Sequence, residues 1–584
     1  MPTPRKFLLP LLALALLALA PTLYLLLRPA PLIPPFSTPV GKYHPPLQYR
    51  IVSFHHGHAD KNLILLAHNL GFNGVQFQIE GSNLQGLTDF AIRDAQEHYV
   101  DYCHSLGMSV TLWVHELSDL PGPWLPEYTG PVSPTNDAFF HYLANHYQWI
   151  LTRVVPNIDG LCLTVVETDV NATSAPLLKR IVQVLQQKCH QLHKSFMLRT
   201  FVWTPDQFDS VMSAVKQLPR DTVLMSKIVP QDWQMRGAYA AELGAVGGRP
   251  QIVEFDAHGE YFLRDAVANC MVDRLKQQFD YIASKGADGI CVRVDRDDSS
   301  LLFTPNEVNL WALGMFASGA ADSEDEVWNA WATYHYGKAA APAVIRALKP
   351  TGQVVAELLS IGPFTFGDTR AFPPEPTTDP FDQNWQNWRW DKSYIPDFNA
   401  AERGDPAFTN QVAIQKESAA LLAAQSLADL NAAQPNLDPT AFAILRAKLL
   451  TNQAQLAFRT PMALASLHYR AWRYGPPAGR AAAAKAYNAD LTTLNAIIGT
   501  FPESGPLVSW KNRTWRIGAP DAIDRNALYK WLYDAQRIAP GPNPQTAPAS
   551  QTAPASQPAP TPMPRSHNPT PLPPDSPEFL RARG

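Results

Sequence analysis

The feature that most constrains this chain is a series of eight short apolar runs between residues 50 and 294. Each run has strand length, and a stretch with helical periodicity separates most of them from the next. In chain order they are RIVSF, GVQFQI, VTLWV, GLCLTVV, FMLRTFVW, VLMSKIV, QIVEF and GICVRV. Eight strands that alternate with helices over roughly 250 residues predict a (β/α)8 or TIM barrel, an α/β fold.

The alternative for such a pattern is an open, doubly wound sheet. That fold carries a glycine-rich phosphate turn after its first strand. In this chain the first run is followed by His55, His56, Gly57 and His58, which do not form such a turn. The sequence therefore favours the closed barrel.

The N-terminal residues predict a membrane attachment. Within residues 1–28, Arg5 and Lys6 precede an uncharged apolar run, residues 7–27, which is long enough to span a bilayer. We expect a retained signal-anchor with its N-terminus in the cytoplasm, and the alternative is a cleaved signal peptide. Either way the rest of the chain is expected on the extracytoplasmic or periplasmic face of a membrane.

The other predicted segments lie on both sides of a barrel at residues 49–320. Residues 29–48 are proline-rich and predict a stiff spacer. Residues 321–538 predict an α-helical C-terminal domain, and residues 539–584, in which QTAPAS occurs twice, predict a disordered tail. Within the helical domain, apolar residues recur at helical spacing over residues 324–349, 407–433, 439–458 and 479–500.

Charge and cysteine content exclude some functions. The net charge is −4 at pH 7, which provides no general basic field for nucleic acid. The five cysteines show no zinc-binding spacing, and we interpret them as buried thiols. His55, His56 and His58 could bring two imidazoles together, but without further ligands we expect no metal and no cofactor.

The candidate functional residues lie where the predicted strands end, because the active sites of such barrels form at that rim. They combine carboxylates, aromatic side chains and a few cations, which suits glycoside hydrolysis of a bound oligosaccharide. No nucleophile elbow or phosphate loop supports another chemistry. The candidate site residues at these ends are His55, Glu80, Trp113, His115, Glu167, Arg199, Trp203, Lys227, Asp232, Asp256, Glu260, Arg293 and Asp295.

Several motifs at these strand ends resemble the catalytic barrel of α-glucuronidases, glycoside hydrolase family 67. The resemblance is strongest after the sixth and seventh runs, where Lys227 precedes DWQ and where VEF leads to Glu260 in EYF. Glu167 in LTVVETD, RTFVW after Arg199, and NLW from Asn309 also resemble the family's motifs. Where the family has a separate β-rich domain before the barrel, we expect in residues 1–48 only the membrane segment and the spacer.

The resemblance implies specific roles for these residues. Glu167 would be the general acid, while Asp232 and Glu260 would activate water, which gives inversion at the anomeric carbon. Lys227 and Arg199 would bind the carboxylate of a uronic acid.

Other interpretations of the same residues stay open. The chain could act on a neutral sugar, or it could be a carbohydrate-binding barrel without catalysis. Glu260 could cap a helix that begins near Phe262. Either Glu254 or Asp256 could serve mainly as the ion-pair partner of Arg293.

Overall fold

The computed structural model describes residues 36–54, 60–79, 99–115, 132–164, 174–202, 205–230, 234–296, 299–365, 392–500, 507–510, 513–516 and 525–540. Eight parallel strands close into a barrel in which neighbours along the chain pair and the last strand pairs with the first. This confirms the predicted TIM barrel. The strands are β1 (Tyr49–Phe54), β2 (Gly74–Ile79), β3 (Ser109–His115), β4 (Gly160–Thr164), β5 (Ser195–Arg199), β6 (Val223–Lys227), β7 (Gln251–Asp256) and β8 (Gly289–Arg293).

Helices surround the barrel. They are α1 (Lys61–Asn69), α2 (Asp101–Ser105), α3 (Asp137–Trp149), α4 (Ala175–Gln191), α5 (Pro205–Val215), α6 (Val272–Ser284) and α7 (Glu307–Ala317). In α4, residues at helical spacing such as Leu178, Ile181 and Leu185 are buried against the strands. After β8, the short strands β9 (Asp295–Arg296) and β10 (Ser299–Ser300) form a hairpin.

The inside of the barrel is a packed core. Its apolar cluster consists of Ile51, Trp113, Cys162, Met197, Val223, Met225, Ile252 and Cys291. Large residues from alternating strand positions fill the barrel, as this fold requires. All five cysteines are free and buried, as expected.

The C-terminal region is helical, as predicted. Its elements are α8 (Glu324–Leu348), α9 (Thr351–Leu358), β11 (Ser360–Ile361), β12 (Phe364–Thr365), α10 (Ile395–Arg403), α11 (Pro406–Ala433), α12 (Pro439–Tyr474), α13 (Arg480–Ile498), β13 (Leu507–Trp510), β14 (Arg513–Arg516) and α14 (Arg525–Arg537). The main hydrophobic core continues from the barrel into α8, α9, α11 and α12.

Helix α12 is longer than its sequence pattern predicts. It does not end at Phe458 but continues through Pro461 to Tyr474, so that the whole helix has 36 residues. A proline inside a helix removes one backbone hydrogen bond. Beyond it, Met462, Tyr469 and Trp472 are buried against α13 and α14 in a second apolar cluster. This burial outweighs the local cost of the proline.

The N-terminal end of the described chain packs beside α7. Phe36 stacks on Trp311 with ring centroids 4.9 Å apart. Within the ranges that the structure covers, no helix is long and apolar enough to cross a membrane. The apolar run at residues 7–27 and the tail at residues 541–584 lie outside the described residues.

Candidate active site

Four charged side chains from four consecutive strands meet inside the C-terminal end of the barrel. Arg199 ends β5, Lys227 ends β6, Glu254 lies near the end of β7, and Arg293 ends β8. Each is at most 4% exposed. In the strand register, Lys227 lies opposite Glu254. The closed barrel therefore brings together cations and a carboxylate that are far apart in the sequence.

Glu254 is the centre of this cluster. Its carboxylate accepts from Nε of Arg199 at 2.6 Å and from Nη2 at 3.2 Å. Lys227 Nζ and Arg293 Nη1 each lie 3.7 Å from Glu254 Oε1. Burial alone would raise the pKa of Glu254, but the three cations outweigh it and lower this pKa to about 2. Glu254 is therefore negatively charged at neutral pH. Of the two carboxylates considered as partners of Arg293, Glu254 does contact it, although Arg199 is the closer partner.

Two aromatic rings support the Arg199 guanidinium. The rings of Trp113 and Phe201 each lie 4.6 Å from its central carbon, and Lys227 Nζ lies 4.0 Å above Phe201. The Trp113 indole donates to Thr164 Oγ1 at 2.8 Å. Since Trp113 is only 1% exposed, it packs below the charged cluster as part of the barrel core.

Glu260 lies just beyond the barrel end, in the loop after β7. Arg293 and Arg296 both form ion pairs with its carboxylate, with Arg296 Nε 3.1 Å from Oε1. The Asp256 carboxylate accepts from the backbone N–H of Gly259 at 2.8 Å and of Glu260 at 2.7 Å. Asp256 therefore fixes the backbone at Glu260, and the arginines fix its side chain.

The alternative that Glu260 caps a helix is wrong. The next helical element is a single 3-10 turn, Arg264–Ala266, which begins after Leu263 and has no side-chain cap.

Burial raises the pKa of Asp256. The positive charge of Arg293 lowers this pKa, and the negative charge of the neighbouring Glu260 raises it further. The two carboxyl groups differ in surroundings, with Glu260 between two arginines and Asp256 facing backbone amides.

A small cavity opens beside the ends of β6 and β7. Its polar lining comes from Lys227, Gln234, Glu254, Asp256, Arg274, Gln278 and Arg293.

Asp295, another candidate, lies in β9 and is 3% exposed. The described candidates Arg199, Lys227, Asp256, Glu260, Arg293 and Asp295 thus belong to the end of the barrel formed by β5 to β8.

The remaining candidates cannot be placed as side chains. His55, Glu80, Glu167, Trp203 and Asp232 lie outside the described residues, and His115 ends β3 without a described side chain. Their roles stay predictions. The strands that precede Glu167 and Asp232 in the sequence, β4 and β6, end at the same end of the barrel as β7, because all eight strands are parallel.

Metal binding is a separate question at this rim. Where the structure describes the chain, no group of three or more histidine, cysteine, aspartate or glutamate side chains could hold a metal ion. His55, His56 and His58 are not among those residues.

Some contacts of the site had no signal in the sequence. Arg296 lies at a strand end and was visible there, but nothing in the sequence indicated that it pairs with Glu260. Three asparagines, Asn306, Asn309 and Asn452, hold the loop after Glu260 through hydrogen bonds to its backbone. Asn309 falls in the NLW motif, whereas Asn452 has no sequence signal because it is 184 residues from its partner.

Comparisons with known proteins agree with this architecture. No protein-family model matches the chain, and no curated protein matches its sequence. Among solved structures, a GH138 enzyme targeting pectin rhamnogalacturonan II is similar with a TM-score of 0.57 and 12% identity, over 84% of this chain and 83% of that chain. A GH115 4-O-methyl-α-glucuronidase with specificity for decorated arabinogalactans gives a TM-score of 0.44 and 12% identity, over 78% of this chain and 59% of that chain.

These likenesses differ in what they establish. A TM-score below 0.5 does not establish a shared fold, so the GH115 structure adds no support. The resemblance to glycoside hydrolase family 67 is not confirmed by these findings. The chain shares the fold of a GH138 glycoside hydrolase over most of its length.

Proposed function

We propose that this chain is a glycoside hydrolase that acts at the C-terminal end of its barrel. The observation that carries the proposal is Glu260, a buried carboxylate held at this end by Arg293 and Arg296 through its side chain and by Asp256 through its backbone. Glycoside hydrolysis needs carboxylates in fixed positions at such a rim. The fold shared with a GH138 enzyme is consistent with this chemistry.

The proposed reaction is hydrolysis with inversion. Glu167 donates its proton to the glycosidic oxygen as the bond from that oxygen to the anomeric carbon breaks. A water molecule attacks the anomeric carbon from the opposite face, and Glu260, together with Asp232, accepts the proton that the water loses. An ionised carboxylate has about four lone-pair sites, so Glu260 can accept from water while it remains paired with arginines.

The proposed substrate is an oligosaccharide that carries a uronic acid. Arg199, Lys227, Arg293 and Arg296 bring four cationic side chains to this end of the barrel, and such groups bind the carboxylate of an anionic sugar. Since Glu254 engages both Nε and Nη2 of Arg199, we assign Arg199 to holding Glu254. Lys227 Nζ lies 3.7 Å from that carboxylate and lines the cavity beside β6 and β7, and we assign it as the ligand of the uronate.

A neutral sugar is the second candidate, and one observation favours it. The carboxylate of Glu254 lies within 3.7 Å of Arg199, Lys227 and Arg293, so Glu254 already neutralises part of the positive charge of these three side chains. A substrate carboxylate would then have to compete with Glu254 for these cations.

The test is hydrolysis of a panel of uronate-bearing and neutral oligosaccharides by the full chain and by three variants. Glu167→Gln and Glu260→Gln remove the proposed acid and base, and Glu417→Gln changes an exposed carboxylate in α11 as the control. Activity on a uronate that both site variants lose and the control retains supports the proposal.

The other outcomes are equally informative. Activity on neutral sugars alone supports the second candidate. Full activity in Glu260→Gln removes the role of Glu260. Calorimetric binding of an oligosaccharide without cleavage of any panel member indicates a carbohydrate-binding barrel. Lys227→Met separates the first two candidates, since it should lower kcat/KM on uronates far more than on neutral sugars.

A further inference from the structure

The loop that carries Glu260, residues 257–271, is held firmly at its beginning. Asp256 accepts the N–H groups of Gly259 and Glu260, and two arginines pair with the Glu260 side chain. The middle of the loop is strained, because Leu263 and Arg264 have φ angles of 67° and 51°. Residues other than glycine adopt this left-handed region only when the surrounding structure enforces it. The far end of the loop must therefore be fixed as well.

Two buried asparagines at the start of α7 provide part of this fixation. Asn306 Oδ1 accepts from the N–H of Asn269 at 2.7 Å. Asn309 Oδ1 accepts from the N–H of Met271 at 2.7 Å, and its Nδ2 donates to the Asn269 carbonyl at 2.9 Å. These contacts come from the barrel region itself.

A third buried asparagine reaches the same loop from the C-terminal helices. Asn452, in the middle of α12, is 1% exposed. Its Oδ1 accepts from the N–H of Ala268 at 3.1 Å, and its Nδ2 donates to the carbonyl of Ala268 at 2.8 Å. One side-chain amide thus satisfies both backbone groups of a buried residue, which would be costly to leave unpaired.

The two ends of the loop touch each other. A Cβ atom at Gly259 would lie 3.4 Å from Asn269 Nδ2 and 3.3 Å from Phe262 Cβ, so the returning chain packs directly on Gly259. The carbonyl of Gly259 also accepts from the N–H groups of Phe262 at 2.8 Å and Arg264 at 3.1 Å. A displacement of Ala268 and Asn269 would therefore reach the residue that precedes Glu260.

We propose that Asn452 is a positioning residue for the candidate active site. By holding Ala268, it makes the C-terminal helical region part of the support that places the Glu260 carboxylate. This inference rests on the role proposed above for Glu260 in glycoside hydrolysis. Asn452 itself does not contact substrate in this proposal, since it acts through the loop.

The first test is amide hydrogen exchange of the loop in the full chain. Asn452→Ala removes both hydrogen bonds to Ala268. Gln453→Ala is the matched control, because Gln453 is the next residue of α12 and its Nε2 donates to the Ala423 carbonyl of α11 at 3.1 Å. We expect protection of residues 257–271 to fall about tenfold or more in Asn452→Ala and to be unchanged in Gln453→Ala.

The variant Asn452→Asp distinguishes loss of these two hydrogen bonds from a general loss of structure, because its hydrogen-exchange protection should depend on pH. A protonated aspartate can accept from and donate to Ala268 as the amide does, whereas the ionised form cannot donate and would face a carbonyl oxygen. Because burial raises the pKa of a carboxyl group, protection should approach that of the unmodified chain at low pH and that of Asn452→Ala at high pH.

Kinetics then connect the loop to the site. On whichever substrate the unmodified chain hydrolyses, kcat should fall about tenfold or more in Asn452→Ala while KM stays within about twofold, because misplacement of a catalytic group affects the chemical step. The same pH-dependent recovery should appear in Asn452→Asp. Unchanged protection in Asn452→Ala, or an equal loss in Gln453→Ala, overturns the inference.

Hydrogen exchange and kinetics together distinguish a failure of this inference from a failure of the proposed function. If the unmodified chain hydrolyses nothing, hydrogen exchange still decides whether Asn452 holds the loop, and only the proposed function fails. If the chain is active but Asn452→Ala exchanges and reacts normally, only the positioning role fails.

Discussion

Arg199 and Glu254 form a two-point ion pair across the inside of the barrel, with contacts of 2.6 and 3.2 Å, although their strands are not neighbours. Strand β6 lies between β5 and β7, and its Lys227 lies beside the pair. By the resemblance to family 67, Arg199 would bind the carboxylate of the substrate, but in the structure it is paired with Glu254. Glu254 therefore has a structural role from which the first predictions follow.

Glu254→Gln should destabilise the chain strongly. Removing one member of a buried ion pair leaves the others without compensation, which typically costs about 3–5 kcal/mol. Urea denaturation with near- and far-ultraviolet circular dichroism measures the free energy of unfolding.

The control for this variant is Asp280→Asn. It breaks an ion pair on the surface of α6, where Lys276 Nζ lies 2.7 Å from an aspartate that is 59% exposed. Such pairs contribute about 1 kcal/mol or less. Equal losses in the two variants would show that Glu254 is not the centre of a stabilising cluster.

The contribution of Glu254 should disappear in acid. Folding lowers its pKa from 4.5 to about 2, so its ionised form stabilises the fold fully above pH 4.5. As the pH falls from 4.5 to 2, the stability difference between the unmodified chain and Glu254→Gln should shrink. Denaturation curves at several pH values measure it, and a constant difference would contradict the lowered pKa.

Glu242 should have the opposite pH dependence. Burial raises its pKa from 4.5 to about 7, although the N–H of Val202 donates to Oε1 at 3.2 Å and Arg199 opposes the shift. The unfolded chain ionises this group first, so stability should decline as the pH rises from 4.5 to 7. Glu242→Gln, which keeps an acceptor for Val202, should remove this decline and stabilise the fold by roughly 3 kcal/mol at pH 8.

Thermal unfolding from pH 4 to pH 8 tests the Glu242 prediction. Glu417→Gln, which removes a carboxylate at an exposed position of α11, is the control. A profile for Glu242→Gln that follows the unmodified chain would show that Glu242 is ionised in the fold at neutral pH.

Arg459→Met should stabilise the protein. Arg459 is 1% exposed, its Nε donates to Gln455 Oε1 at 2.9 Å, and within the described part of the chain neither Nη atom has a hydrogen-bond partner. Burial lowers its pKa to about 9, so it is still mostly charged at neutral pH. Replacing a buried, uncompensated charge with an apolar side chain of similar length should add about 1–3 kcal/mol.

The melting temperature is the measurement for Arg459→Met. Arg446→Met, at an exposed position of the same helix, should change the stability by about 0.5 kcal/mol or less. A lower melting temperature for Arg459→Met would contradict the prediction that burial of this charge destabilises the fold.

The sequence predicted the barrel well because strand length, β-branched content and helical spacing are local properties. Each of the eight runs forms a strand, and α11 and α13 begin and end within a few residues of their predicted limits. Helix α12 exceeded its prediction because the burial of Met462 and Trp472 overrides the local signal of Pro461.

The site was predicted only as a set of strand ends. Which residues pair depends on the register and the closure of the barrel, so the contact between Arg199 and Glu254 across β6 had no local signal. The contact of Asn452 with Ala268 depends on how α12 packs against the loop after β7. A single sequence contains no pattern that links these positions.

The pairing of β8 with β1 has a consequence for how the chain folds during synthesis. Five residues of β1, from Tyr49 to Ser53, pair with residues of β8 that begin at Gly289, so these β1 residues lack this pairing until β8 has been synthesised. Until β8 has left the ribosome, β1 and β7 are the open edges of an incomplete sheet, and such edges recruit other chains. Arg293 reaches Glu254 in the same step, so sheet closure and completion of the charged cluster coincide. A nascent chain stalled before Gly289 should therefore require chaperone protection, whereas one that has passed Arg293 can close its own sheet.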